Sequence, residues 1–138
     1  MYGRDDDEWD ELVQAGHRFL IEVASLGKTT SYTEMNAVLQ RRTGLVGFDF
    51  SQEKDRAAMG YLLGRVVDRD QADHPGLMIS SLVVYLNAND AGTGFCNLAR
   101  QKGLLHKGDS KEEFWIRQVK ASHELFKTPA RSAGPAGA

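Results

Sequence analysis

Between residues 7 and 26 apolar positions recur at three- and four-residue steps: Trp9, Leu12, Val13, Gly16, Phe19, Leu20 and Val23. That period places them on one face and predicts an amphipathic α-helix. Its acidic start suits the positive end of the helix dipole, and Gly27 is placed to cap its end. A second helix is predicted from "SYTE", where Ser31 is the cap and Glu34 follows at the capping-box spacing. Residues 43–50 read as a loop with apolar anchors, and Asp49 or Ser51 as the cap of a third helix over 52–69. In that helix Ala58, Met59, Leu62, Leu63 and Val66 form the apolar face. Ala57, Gly60 and Gly64 make a small-residue stripe that permits close approach of another backbone, at some cost to the helix.

"DRDQADHPG" then breaks the pattern. Residues 77–86 are rich in β-branched and apolar side chains and predict a strand buried on both faces. "NANDAGTG" reads as a turn or hairpin tip, residues 95–101 as a short helix, and Ser110 with Glu113 as the capping box of a last helix. That helix carries Trp115, Val119, Ser122 and Phe126 on one side. "TPARSAGPAGA" has neither aromatics nor periodicity, so the expected organisation is one domain over 1–127 and a flexible tail over 128–138. The class expected is α+β and helix-rich: a winged-helix-like three-helix core, a small β-hairpin and a C-terminal helix.

Composition narrows the function classes. Hydrophobic content of 41% and charged content of 26% are those of a globular protein. The longest uncharged apolar run, Leu77 to Leu86, is about half a bilayer span, and no secretory leader is visible, so no membrane association is expected. The lone Cys96 excludes an intramolecular disulfide and fits the reducing cytoplasm. The net charge of −2 hides an asymmetry: the acids concentrate in residues 1–11, leaving the rest mildly basic. That is weaker than the field of a dedicated nucleic-acid binder.

Asp68, Asp70, Asp73 and His74 have metal-ligand chemistry, but no second group completes a site, and a solvated helix end is the simpler reading. "NANDAG" lacks the carboxylates of a calcium loop. Ser80 and Ser81 are the candidate nucleophiles. No G-x-S-x-G elbow exposes them, and His17, His74, His106 and His123 are scattered over different elements. With no phosphate-binding glycine loop either, no catalytic residue, metal or cofactor is expected. Arg41, Arg42, Arg56, Arg65 and Arg69 form a basic group on the second and third helices, with Asp55, Asp68 and Asp70 as available partners.

Three segments resemble the DNA-binding domain of alkylguanine DNA alkyltransferases and the non-enzymatic alkyltransferase-like proteins. "GKTTSYTEMNAVL" is similar to that family's glycine, short strand and Thr/Ser-Tyr pair opening a helix. "RAAMGYLLG" is similar to its Arg-Ala-Val-Gly recognition helix, with one residue more. "HPGLMISSLVVYLNANDAGTGF" resembles its strand and glycine-rich loop, where the enzymes carry Pro-Cys-His-Arg. The resemblance implies that Tyr32 meets the phosphate beside a flipped nucleotide, and that Arg56, within one register step, fills the space the base leaves. Ser81 falls near the alkyl-accepting cysteine, and Leu82 replaces its activating histidine, so alkyl transfer is excluded and Ser80 and Ser81 become residues of a candidate pocket.

The resulting expectation is a non-enzymatic, cytoplasmic DNA-binding module sensing distorted or damaged duplex, with Tyr32, Arg41, Arg42, Arg56 and Arg65 at the interface. Its alternative is a protein-interaction or regulatory module in a larger complex, with a protein partner or a second copy meeting the aromatic C-terminal helix.

Overall fold

A computed structural model describes residues 1–85 and 92–127. Helix α1 (Asp6–Ser25) is followed by β1 (Thr30–Ser31), α2 (Tyr32–Thr43) and α3 (Glu53–Gln71). A 3-10 turn (Ile79–Leu82) leads into β2 (Val83–Val84), then α4 (Gly92–Gln101) and α5 (Lys111–Phe126). The chain is α+β and helix-rich, with one small sheet among the described residues. The tail expected at residues 128–138 lies outside them.

Local chemistry explains where the helices begin. Asp5 accepts from the Glu8 backbone N–H at 2.9 Å while the Glu8 carboxylate accepts from the Asp5 N–H at 3.0 Å, a complete capping box. Part of the acidic run is therefore a helix cap. Ser31 and Ser110 cap α2 and α5 by accepting from the Glu34 and Glu113 N–H groups. The reciprocal half is not made at α2, because the Thr30 hydroxyl donates to the Glu34 carboxylate instead. Neither Asp49 nor Ser51 caps α3. The cap residue is Gln52, without a side-chain bond, and Asp49 accepts from Ser51 within the loop, which holds its carboxyl below the usual range.

α1 is the central element, packed against α2, α3 and α5. Its buried face, which includes Trp9, Leu12, Leu20 and Val23, meets Met35 and Leu39 from α2 and Leu62 and Val66 from α3. Each such side chain contributes roughly 1.5–3 kcal/mol by leaving water. The helices cross closely at Gly16, where a Cβ would lie 3.1 Å from Met35 Cε and 3.4 Å from Val66 Cγ2. The loop before α3 is pinned by Asn36, which donates to the Phe48 carbonyl and accepts from its N–H, both at 2.9 Å.

The predicted long strand is not formed. Residues 79–82 take a 3-10 turn, and among the described residues of the segment only Val83 and Val84 pair, in parallel, with Thr30 and Ser31. The reason is the length of β1. A two-residue partner satisfies only two residues of a buried segment, so those before it must satisfy their backbone through a local turn or a side chain. The Ser81 N–H bonds to the Met78 carbonyl at 3.0 Å, and Gln118 accepts from the Met78 N–H at 2.7 Å. The strands therefore do not form the arms of the expected hairpin. Residues 86–91, where the sequence puts most of its tip, lie outside the described residues, and Gly92–Gly94 already belong to α4.

The small-residue stripe on α3 also departs from expectation. No described atom lies within 4 Å of a Cβ placed at Gly60 or Gly64, and neither has a positive φ. No described backbone uses the close approach at these two glycines. Gly60→Ala and Gly64→Ala are therefore expected to raise stability by about 0.5–1 kcal/mol each, measured by urea unfolding. A loss would place a neighbour against the stripe.

Candidate functional site

α2, α3 and α4 close around a cleft of about 560 Å³, with the segment from the 3-10 turn to Tyr85 as its remaining wall. Capping by Ser31 fixes Tyr32 at the first position of α2, where its ring lies 5.0 Å from that of Tyr85 and 6.3 Å from that of Phe50. Arg56, in the first turns of α3, donates through Nη1 to the Phe50 carbonyl at 2.8 Å. That bond holds the guanidinium at the rim with no carboxylate in ion-pair distance among the described residues. Met59, Gly60 and Leu63 continue the α3 wall, and α4 supplies Gly94, Phe95, Asn97, Leu98 and Gln101. Among the described lining residues Arg56 is the one charged group, so the cleft is apolar, aromatic and biased towards negative charge.

Ser80 is part of this wall, 5% exposed, and its Oγ has no hydrogen-bond partner among the described residues. Ser81 does not line the cleft. It is fully buried with its Oγ also unpartnered, while its carbonyl accepts from Trp115 Nε1 at 2.9 Å. Among the described residues neither hydroxyl bonds to a histidine or carboxylate, the proton acceptor that a serine nucleophile needs.

The structure thus joins Tyr32, Arg56 and Ser80 and leaves the other basic candidates elsewhere. Arg42 forms a two-point pair with Glu22 at 2.7 and 3.0 Å, which holds the Glu22 carboxyl below its ordinary range. Arg65 donates to Asp10 at 2.8 Å, a bond that raises the guanidinium pKa. These partners come from α1, not from Asp55, Asp68 or Asp70. Arg41 is exposed near the end of α2, away from the cleft lining. The aromatics of α5 turn inward. Phe114 is buried, Trp115 reaches Ser81, and Phe126 packs edge-on to His74 at 5.2 Å, leaving Ile116 and Leu125 exposed.

Sequence reasoning missed two features. One is the contribution of Phe50, Phe95, Asn97 and Gln101 to the cleft. The only local signal was the amphipathic spacing of Phe95 and Leu98. The other is Asp70, which is not on a solvated helix end. Its carboxylate is buried, and Oδ1 accepts from His17 Nε2 at 2.9 Å and His74 Nδ1 at 3.1 Å. Two of the scattered histidines therefore converge, though no group of three metal-ligating side chains among the described residues is arranged to hold an ion. No described helix is long and apolar enough to cross a membrane. Set against known proteins, no family model matches the chain, and neither a curated protein nor a solved structure does.

Proposed function

We propose that this chain is a non-enzymatic DNA-binding module of winged-helix type, whose cleft face meets distorted or damaged duplex. The observation that carries the reading is the convergence of Tyr32 and Arg56 on one cleft. The sequence resemblance singles out these two residues from separate motifs, and they lie on different helices. Their setting supports it: a two-residue strand leads into the helix that Tyr32 opens, and Arg56 keeps its charge free of carboxylates while Arg42 and Arg65 do not. Arg56 is the phosphate contact of that face, which gives affinity without reading sequence.

Fluorescence anisotropy against a short duplex tests the assignment. Arg56→Ala is expected to weaken binding about tenfold and to reduce the salt slope by about one. Tyr32→Ala, checked for an intact melting transition, is expected to cost a similar factor. Arg65→Ala should change affinity less than about twofold, because its charge is already paired with Asp10. Unchanged affinity in both Arg56→Ala and Tyr32→Ala contradicts the reading.

A further inference from the structure

Two glycines of the cleft meet no close neighbour among the described residues. Gly60 lies inside α3 and Gly94 inside α4, neither has a positive φ, and no described atom comes within 4 Å of a Cβ built on either. Glycine within a helix weakens it, so a bare helical position with open space beside it is a cost without a return in the folded chain. Both positions face the same cleft. A third feature lies in the same wall: the Ser80 hydroxyl, more than nine-tenths buried and without a partner. Buried hydroxyls are normally hydrogen-bonded. Missing side chains on two helices and an orphan polar group on a third element are what a site shaped for an absent occupant presents.

The lining defines the occupant's chemistry. Tyr32, Phe50, Tyr85 and Phe95 supply aromatic surface, suited to a flat ring system. Arg56 is the one charge among the described lining residues, and its planar guanidinium recognises carboxylate or phosphate by paired hydrogen bonds. The described lining residues include no carboxylate to meet a cation. The volume of about 560 Å³ lies within the range of small-molecule sites and is large for a single ring. We infer that the cleft is a binding site for a small aromatic anion, its rings against the bare backbone of Gly60 and Gly94 and its anionic group at Arg56. The inference does not rest on the DNA reading, since a free ligand can occupy the cleft whether or not the protein binds duplex.

The test uses three probes of one ring system on the full chain labelled with nitrogen-15: 1-naphthoate, 1-naphthylmethanol and 1-naphthylmethylamine. 1-Naphthoate is expected to shift the amide resonances of Gly60, Ser80 and Phe95 in a saturable titration. It should bind at least about fivefold more tightly than the alcohol and more tightly still than the amine. Arg56→Gln is expected to bring naphthoate down to the affinity of the alcohol. Gly60→Leu, which fills the cleft from a position where a Cβ meets open space, is expected to weaken naphthoate more than tenfold while the melting transition persists. Gly94→Leu repeats that test from α4 should the first variant unfold. Equal affinity for acid and amine, shifts away from the cleft, or undiminished binding in a folded glycine variant overturns the proposal.

Discussion

Trp9→Ala is expected to destabilise the chain by about 3–5 kcal/mol, a large share of the roughly 5–15 kcal/mol available to a domain of this kind. Trp9 is 1% exposed and joins the first helix to the rest of the core. Its ring meets Tyr61 edge-on at 4.8 Å and lies 6.4 Å from Phe48, while Arg4 sits 5.9 Å above it. Alanine removes the apolar contact, leaves a cavity between α1 and α3, and loses the bond that Trp9 Nε1 donates to the Met1 carbonyl at 2.7 Å, which keeps only the Arg4 N–H among the described residues. Trp9→Phe separates these terms. It keeps most of the packing and loses the hydrogen bond, for an expected cost of about 1–2 kcal/mol. Urea unfolding of both variants measures the difference. A loss below about 1 kcal/mol for the alanine variant would mean that this aromatic group does not anchor the core.

The second large effect is expected at Asp70. A buried carboxylate is tolerated only where hydrogen bonds and charge compensate it, and here both bonds come from histidines. Oδ2 has no partner among the described residues, so nothing else shares the burden. His17→Phe or His74→Phe alone leaves one donor and is expected to cost about 1–2 kcal/mol. Phenylalanine keeps the ring volume, including the edge of His74 packed on Phe126. The double substitution leaves a buried carboxylate with neither bond, and is expected to exceed the sum of the singles by about 1–2 kcal/mol. A double-mutant cycle at one pH measures this. An additive cycle would show that the two histidines do not jointly support Asp70.

Several elements were readable from the chain because their causes are local. The period of apolar positions in α1 and the Ser31 and Ser110 caps of α2 and α5 need no distant partner. Asp70 was not readable, because its burial depends on His17, which arrives from another helix 53 residues earlier. The 77–86 segment was misjudged for a related reason. An apolar run marks burial but not conformation, and beside so short a β1 residues 79–82 turn and two residues pair as a strand. At the site, Tyr32 and Arg56 could be named in advance through the resemblance, and Ser80 as a serine in a buried apolar run. Phe50, Phe95 and Leu98 could not, because an apolar residue beside a cavity has the same pattern as one in the core. The internal glycines of α3 were visible, but as a contact stripe. The packing of α3 beside α4 makes Gly60, but not Gly64, part of a cleft wall.

The reading of this chain as a DNA-binding module stands on the cleft face that Tyr32 and Arg56 share. The most direct test is anisotropy of a short labelled duplex, with and without one alkylated guanine, titrated with the unmodified protein over a salt series. Submicromolar binding at about 50 mM salt is expected, weakening linearly on logarithmic axes with the slope of several phosphate contacts, and tighter for the alkylated duplex. Absence of binding at about 50 mM salt, where phosphate contacts are least screened, would contradict it.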